Sequence, residues 1–273
     1  MTDTSISIQS STSTHAVSVR LPRGAAFTDA IVVAKRNLLR IVRTPQLLIF
    51  STIQPVMFVL LFRYVFGGSI NIPGVRFVDY LMPGIFVQTV VFGGASTAVG
   101  LAEDMSKGII DRFRSLPMAR SAVLAGRTLA DVVRNVFVVG LMIVVGLLVG
   151  FRFHNGFVPA VGAVGLALLF GFAFAWFFAL IGLSVKDPET AQVAGFLPIF
   201  PLVFASSVFT QISTMPGWLQ GFAKVQPITV TTNAVRAMTQ GGAIARPLVE
   251  SLAWIVGLLV VLVPAAVARY RKG

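Results

Sequence analysis

The residues best suited to specific binding lie in one segment, residues 103–134. This segment reads EDMSKGIIDRFRSLPMARSAVLAGRTLADVVR and holds ten of the thirty-two Asp, Glu, Lys and Arg residues of the chain. It lies between two apolar runs, each long enough to enter or cross a lipid bilayer. A chain that concentrates charge in one loop between apolar runs usually contacts something on that side, so this loop is the first candidate for a binding surface.

A short amphipathic helix is predicted inside this loop. Its apolar residues recur at i, i+4, i+8 and i+11, which places them in one ridge over about three helical turns: Met105, Ile109, Phe113 and Leu116. Charged residues lie on both sides of this ridge: Lys107, Asp111 and Arg114. The helix is predicted to end at Pro117. Such a helix can lie on lipid, pack against its own chain, or insert its ridge into a groove on another protein. The spacing leaves these alternatives open.

The remaining reactive residues do not predict an enzyme. Cysteine is absent, the two histidines (His15 and His154) are far apart in sequence, and no Ser/His/Asp pattern or metal-ligand spacing is visible. The G-x-x-x-x-G-K-[ST] phosphate loop does not occur either, so we expect this chain not to hydrolyse ATP. Asp131 and Arg134 are expected to form a solvated pair at a membrane edge. We assign no catalytic residue, no metal site and no cofactor to this chain.

The elements that position the charged loop are predicted to be membrane-spanning helices. The 273 residues are 56% hydrophobic and only 12% charged, whereas soluble domains carry about a quarter charged residues. Six stretches free of Asp, Glu, Lys and Arg approach or exceed the length of a spanning helix: residues 44–62, 80–102, 135–151, 154–185, 190–223 and 251–268. The predicted fold is therefore an all-α integral membrane protein with six transmembrane helices, forming one membrane domain over residues 44–270.

The distribution of Lys and Arg predicts the orientation of these helices. One side would hold six before the first span, six in residues 103–134, Lys186, and three in residues 269–272; the other side would hold six. Positive charge favours the cytoplasmic side, so both termini are predicted to be cytoplasmic, in a multi-pass protein of the inner or plasma membrane. The net charge of +12 lies mainly at the ends of apolar runs, which favours anionic membrane lipids over nucleic acid as a partner.

Two N-terminal segments precede the first span. Residues 1–25 are rich in Ser and Thr and are predicted to be a disordered tail. Residues 26–43 predict an amphipathic interface helix on the cytoplasmic surface, with apolar residues on one face and arginines roughly opposite: Phe27, Ile31 and Leu38 against Arg36, Arg40 and Arg43. This helix either rests on the inner leaflet alone or also contacts a partner protein.

Residues 210–246 predict two short helices that dip into the outer interface as a re-entrant segment. Pro216 starts the first helix, Trp218 is typical of a membrane-interface anchor, and Pro227 breaks the segment. A second helix is expected over residues 229–239, with Gly241-Gly242 as its stop. A seventh span is disfavoured because Lys224 and Arg236 would be costly at the centre of the bilayer.

Candidates for lining a transport pathway lie in the second and fifth spans. Aromatic residues with sparse polar groups suit an amphipathic substrate: Gln88, Phe92, Phe200, Phe204, Ser207 and Phe209. Ordinary packing between helices is the alternative explanation for each of these residues.

Several short motifs together resemble the type 2 ABC exporter permeases, and most closely the daunorubicin-resistance and nodulation-export branch. The resemblance covers about residues 26–270 and rests on residues in the right order: Glu103-Asp104, Lys107-Gly108, Asp111-Arg112, Arg114-Ser115-Leu116-Pro117, Gly126-Arg127, Asp131, Asp187-Pro188-Glu189-Thr190-Ala191, Pro216-Gly217-Trp218, Gln226-Pro227-Ile228-Thr229 and Asn233-Ala234-Val235-Arg236. One departure is Ile109-Ile110, where the family often has Thr or Ser and an acidic residue.

The resemblance implies a role for each of these segments. Residues 103–128 would carry a coupling helix that docks on a cytoplasmic ATPase, through Glu103, Asp104, Lys107, Gly108, Ile109, Asp111, Arg112, Phe113, Arg114 and Pro117. The interface helix would also contact the ATPase, and Pro216, Trp218 and Pro227 would belong to an outer gate. The second and fifth spans would meet a second permease chain, identical or a sister. Two ATPase subunits would bind the ATP and Mg²⁺.

The resemblance implies an ATP-driven exporter of drugs, lipids or lipid-linked molecules. Two other functions are alternatives to it. A non-transporting membrane scaffold or assembly factor would use the same docking loop without a pathway. A secondary transporter is less favoured because the acidic residues nearest the spans, Asp79 and Glu250, lie near their outer ends.

Overall fold

A computed structural model describes residues 45–68, 72, 74–108 and 120–272, and nearly all of them are helical. In chain order the helices are α1 (Pro45–Leu60, continued by a π-helix over Leu61–Phe66), α2 (Phe77–Gly93), α3 (Ala95–Ser106), α4 (Arg120–Leu148), α5 (Phe157–Gly182), α6 (Pro188–Phe204), a 3₁₀ turn (Ile212–Thr214), α7 (Gly217–Val225), α8 (Pro227–Gln240) and α9 (Ala245–Lys272). The predicted tail and interface helix lie outside the described residues and remain predictions.

Helix α5 forms the centre of the bundle. Its sequence is apolar on every face, which is typical of a helix surrounded by other helices or lipid. It packs against α2, α3, α4, α8 and α9, and Phe170 and Phe178 are fully buried in the core. Helix α9 lies at the periphery, since most of its apolar surface stays exposed.

Four of the described helical segments are long and apolar enough to cross a membrane: Phe77–Ser106, Gly126–Leu148, Phe157–Gly182 and Ala245–Tyr270. The chain is therefore an all-helical, multi-pass membrane protein. The other two predicted spans correspond to a shorter apolar helix, Thr52–Phe66, and to α6, whose 17 residues are at the lower limit for crossing a bilayer. Six spans and the location of both termini remain predictions.

The second span is broken in its middle. The kink between α2 and α3 is a local interruption of the helical hydrogen bonding at Gly94, whose N–H donates to the Val91 carbonyl in a 3₁₀-like turn. An added Cβ at Gly94 would overlap the Phe178 ring of α5. Gly182 allows a similar approach, because a Cβ there would lie 2.5 Å from the carbonyl oxygen of Ala98. Glycine at position 182 lets α5 pack against the backbone of α3, and glycine at position 94 leaves room for the Phe178 ring.

The start of α6 is fixed by a side-chain cap. The backbone N–H and the hydroxyl of Thr190 donate to the Asp187 carboxylate at 2.7 and 2.8 Å, and Pro188 follows as the first helical residue. These bonds hold the pKa of Asp187 below its ordinary value of 3.8. The cap sets where α6 begins, and α6 carries Phe196, Phe200 and Phe204.

Candidate functional site

The charged loop leaves the bundle from the end of α3. Helix α3 runs to Ser106, and Gly108 follows in the left-handed region with φ +64°. The Gly108 N–H donates to the Met105 carbonyl at 3.0 Å, and the Lys107 N–H donates to the Glu103 carbonyl at 3.1 Å, so the helix ends with a glycine cap. The prediction that Met105 shares one uninterrupted helix with Ile109, Phe113 and Leu116 is therefore wrong for Met105. Met105 belongs to the spanning segment, and residues 109–119 lie outside the described residues.

Two ion pairs at this helix end differ in burial. The exposed pair joins Lys107 Nζ to Glu103 Oε1 at 2.5 Å. The other pair joins Arg127 Nη1 on α4 to Asp104 Oδ2 at 2.6 Å, with side chains only 14% and 11% exposed. Gly100 makes room for it, because a Cβ there would overlap the Arg127 guanidinium. Asp104 thus connects α3 to α4, the helices on either side of the loop.

The structure describes four of the ten predicted coupling residues. Glu103 and Lys107 pair with each other at the surface, Asp104 faces α4, and Gly108 caps α3. The other six lie outside the described residues: Ile109, Asp111, Arg112, Phe113, Arg114 and Pro117. Contact of this loop with an ATPase remains a prediction.

A buried polar network lies at the kink between α2 and α3. The guanidinium of Arg134 donates to the Ser96 hydroxyl and to the Gly93 carbonyl, and its Nη1 is 3.5 Å from Asp131 Oδ1. Thr97 donates from its hydroxyl to the same carboxylate. The expectation of a solvated Asp131–Arg134 pair is wrong, because both residues are buried. The Gly93 carbonyl and the hydroxyls of Ser96 and Thr97 supply the hydrogen bonds that water would otherwise provide to the buried pair.

A cavity of about 160 Å³ opens beside this network. Its lining comes from α1, α2 and α6, with Arg134 at one wall: Gln54, Pro55, Gln88, Thr89, Phe92, Gly93, Ser96, Arg134 and Phe196. The Oε1 atom of Gln88 and the Oγ1 atom of Thr89 are buried, and no hydrogen-bond partner is present for either within the described part of the chain. The rings of Phe92 and Phe196 stack with centroids 5.4 Å apart. The cavity thus has aromatic surface and two lining residues, Gln88 and Thr89, that each hold a buried polar atom without a partner.

The other predicted pathway phenylalanines form a separate aromatic cluster. Phe200, Phe204 and Phe209 associate with rings of α1, with centroids 4.4 Å apart for Phe200–Phe204, 5.1 Å for Phe204–Phe209 and 4.4 Å for Phe62–Phe209. Phe58 lies 5.7 Å from Phe209. Gln88 and Phe92 therefore line the cavity, whereas these three phenylalanines lie in the cluster between α1 and the end of α6.

Ser207 occupies a third environment, the irregular segment after α6. Its hydroxyl donates to Asn233 Oδ1 at 2.9 Å. Its carbonyl accepts from Arg236 Nη2 at 2.8 Å and from the Tyr80 hydroxyl at 3.2 Å. Gln226 donates from Nε2 to the Leu202 and Ala205 carbonyls at 2.9 and 3.0 Å. These side chains satisfy backbone carbonyls that a continued helix would have satisfied, as buried irregular chain requires.

Arg236 is the centre of this set of contacts. Its Nε donates to the Tyr80 carbonyl at 3.2 Å and its Nη1 to Asn233 Oδ1 at 2.9 Å. The guanidinium carbon lies 3.7 Å from the centroid of the Tyr80 ring. In the sequence analysis, the charge of Arg236 served as an argument against a seventh span, because a cation is costly at the centre of a bilayer. The structure instead surrounds it with carbonyls, an amide and an aromatic face, all supplied by the protein.

The three predicted outer-gate residues occupy helix boundaries. Pro216 precedes the first residue of α7, Trp218 in its first turn is 81% exposed, and Pro227 is the first residue of α8. Gly241 and Gly242, with φ of +99° and +116°, follow the end of α8. Both expected helices are present, and the second begins at Pro227, two residues before its predicted start at residue 229. Their depth in the membrane and the gating role remain predictions.

Sequence reasoning missed the partners of Arg134 and Arg236, although one signal was available. Arg127, Asp131 and Arg134 recur at i, i+4 and i+7, which places them on one face of α4. Three charged residues on one face of a spanning helix indicate a partnered face rather than a membrane edge.

Comparisons with known proteins agree with this architecture. The family model described as "ABC-2 type transporter" matches residues 28–239. The daunorubicin resistance ABC transporter permease protein DrrB1 of Streptomyces coeruleorubidus is 33% identical over 253 residues, which cover 93% of this chain and 89% of the relative. The probable doxorubicin resistance ABC transporter permease protein DrrC of Mycobacterium tuberculosis is 26% identical, over 89% of this chain and 88% of the relative.

A more distant relative is the inner membrane transport permease YadH of Escherichia coli, which is 23% identical over 68% of this chain. The family match begins before α1, spans the charged loop and the kinked second span, and ends with α8. The family model covers more than three quarters of this helical chain, and one relative is 33% identical over 93% of it. The chain therefore belongs to the ABC-2 type transporter family.

Proposed function

We propose that this chain is the permease subunit of an ATP-binding-cassette exporter that moves an amphipathic drug, lipid or lipid-linked molecule out of the cytoplasm. The names of two relatives refer to daunorubicin and doxorubicin resistance, which supports an amphipathic, aromatic substrate class. The observation that carries the proposal is the cavity beside Gln88, because the network at its wall lies on the same face of α4 as the Arg127–Asp104 pair at the base of the charged loop.

The cavity supports the binding step of this function. Its volume of about 160 Å³ is close to that of an engineered cavity that holds one benzene ring. The stacked rings of Phe92 and Phe196 can hold an aromatic or alicyclic portion of a substrate. The Gln88 amide, whose buried Oε1 has no partner, would rotate toward the cavity to accept a hydrogen bond from it. A substrate larger than one ring would extend from this cavity along the aromatic cluster at Phe204 and Phe209.

The energy for transport is proposed to come from separate ATPase subunits. In this proposal two cytoplasmic ATPases bind ATP and Mg²⁺, and each contacts the charged loop of one permease chain. A second permease chain, identical or a sister, would cover the apolar face of α6, where Val193, Leu197 and Phe200 are exposed at i, i+4 and i+7. Closure of the ATPases would displace the loop, and α3 and α4 would transmit that displacement to the kink at Gly94.

Reconstitution with the partner ATPase in proteoliposomes tests the coupling step. We expect the charge reversal Asp111→Lys to abolish substrate stimulation of ATP hydrolysis while the protein remains in the membrane. The control Lys186→Glu reverses an exposed charge that is predicted to lie on the same side but outside the loop, and it should retain stimulation. Stimulation that survives Asp111→Lys, and equally a Gly-Pro insertion after Phe113, would exclude the loop as the coupling element.

A second experiment separates an exporter from a scaffold. Gln88→Leu removes the unpaired amide, so transport of a substrate with hydrogen-bond donors should fall about tenfold with basal ATP hydrolysis unchanged. Gly140→Ala, where the new Cβ would meet no atom within 4 Å, is the control. Docking of the ATPase without any vectorial transport by the wild type would favour the scaffold.

A further inference from the structure

A groove with a volume of about 520 Å³ lies at the far end of the bundle from the charged loop. Its walls come from the end of α7, the start of α8 and the first turns of α9: Lys224, Val225, Val230, Arg246, Glu250, Ala253 and Trp254. The indole N–H of Trp254 donates to the Val225 carbonyl at 3.0 Å, which fixes the end of α7 against α9. The groove is thus a defined surface feature, distinct from the cavity at Gln88.

The charges of the groove favour an anion. Lys224 is exposed, and within the described ranges no carboxylate lies within ion-pair distance of it. Arg246 bonds through Nε to Glu250 Oε1 at 2.8 Å, which leaves its two Nη groups for another acceptor. Two cations and one carboxylate give the groove a net charge of +1.

The floor below these cations is apolar and continues along α9. Val249, Ala253, Val256 and Val260 recur at i, i+4, i+7 and i+11 and are all exposed, so they form one stripe that starts at the groove. The stripe rises about 16 Å along the helix, which is close to half the thickness of the hydrocarbon core. Trp254 lies about half-way along the stripe and is a residue type typical of the membrane–water interface.

We propose that this groove binds one anionic phospholipid, with the phosphate between Lys224 and Arg246 and an acyl chain along the stripe of α9. A free phosphate or a soluble anionic metabolite would use the cations but leave the apolar stripe uncovered. A zwitterionic lipid would cover the stripe but would lose most of the gain from the net positive charge. The lipid would also bridge α7 to α9, and so hold the α7–α8 pair against the bundle.

Fluorescence quenching of Trp254 by brominated lipids tests this site. The chain has three tryptophans, so Trp176→Phe/Trp218→Phe leaves Trp254 as the only reporter in the full-length protein. This parent is reconstituted into mixtures of phosphatidylglycerol and phosphatidylcholine, with bromine on the acyl chains of one lipid at a time. A net charge of +1 predicts an affinity about fivefold higher for phosphatidylglycerol.

Two variants with opposite signs make the expected result specific. Lys224→Gln/Arg246→Gln leaves only the Glu250 carboxylate, so the ratio of affinities should fall below one, to about one fifth. Glu250→Gln should raise it to about thirtyfold, because it leaves two unopposed cations. Lys107→Gln, which removes an exposed cation at the other end of the bundle, should leave the ratio unchanged.

Each of several results would overturn the proposal. Equal quenching by the two lipids in the parent would exclude selection of an anionic headgroup. A ratio that falls as much in Lys107→Gln as in the double variant would assign the preference to overall charge. Loss of the preference for phosphatidylglycerol on addition of inorganic phosphate at constant ionic strength would identify a free-anion site. Absence of quenching by either lipid would mean that protein rather than lipid covers the groove.

Discussion

The buried ion pair between Asp104 and Arg127 provides a quantitative test of how the charged loop is anchored. Removal of one member of a fully buried pair costs about 3–5 kcal/mol, because the other charge is left without a partner. The two side chains here retain 11% and 14% exposure, so water can partly solvate the remaining charge. We therefore expect Asp104→Asn or Arg127→Gln alone to lower the free energy of unfolding by about 2–3 kcal/mol.

The double variant should behave differently from the sum of its parts. It removes both charges and leaves two amides that can bond to each other, so its loss should be about 1 kcal/mol. In thermal denaturation of the purified protein, each single variant should lower the midpoint by about 4–12 °C, and the double variant by less. Lys107→Gln is the matched control, since it breaks an exposed pair 2.5 Å long on the same helix end and should cost at most about 1 kcal/mol.

Two results would contradict this reasoning. If the single variants are as stable as Lys107→Gln, the pair does not connect α3 to α4 in the folded protein. If the double variant loses the sum of the two single losses, Asp104 and Arg127 act independently and their 2.6 Å contact contributes no coupling energy.

Three other changes test the packing and the capping of the bundle. Gly182→Ala should lower the denaturation midpoint by an overpacking cost of about 1–3 kcal/mol, because its methyl would lie 2.5 Å from the carbonyl of Ala98; Gly140→Ala, in open space, should not. Arg236→Lys should be nearly as destabilised as Arg236→Gln, by about 2–4 kcal/mol, since an ammonium cannot reproduce the three bonds of the guanidinium fork; a lysine variant with wild-type stability would argue against that fork. Two bonds from the following helix lower the pKa of Asp187, so its stabilising effect should be complete above its ordinary pKa and vanish as the pH falls through the lowered value. The difference in midpoint between wild type and Asp187→Ala should thus be constant from about pH 8 to about pH 5 and shrink in stronger acid.

Local signals in the sequence predicted the helix boundaries best. Pro227 lacks an N–H and fits the first turn of a helix, and Gly241 tolerates the positive φ that ends one, so the break and the stop of the α7–α8 pair depend on these residues alone. Gly108 carries the same signal at the end of α3. The apolar spacing from Met105 onward predicted that the helix would continue through Gly108. The helix instead ends at Ser106, because Gly108 adopts the positive φ of a C-terminal cap.

Contacts between distant residues could not be predicted in this way. Arg134 was expected in a solvated pair with Asp131 at a membrane edge, yet its acceptors Gly93 and Ser96 come from a kink about forty residues earlier in the chain. The cost of a buried cation depends on which acceptors the fold brings to it, and one sequence does not show them. The same holds for Arg236 and the Ser207 carbonyl.

The face of α4 toward α3 explains how the loop and the cavity can act together. Arg127 bonds to α3 next to the loop, and Asp131 and Arg134 bond at the kink, about 10 Å further along the same helix face. Helix α4 therefore spans the kink at Gly94 as a rigid support, attached on both sides of it. If the loop moves as proposed, a displacement that pulls on α4 would reach Arg134 through one continuous helix, whereas a displacement along α3 would have to pass the interruption at Gly94. Since Arg134 forms a wall of the cavity, α4 would then be the more direct of the two helices that connect the loop to the cavity.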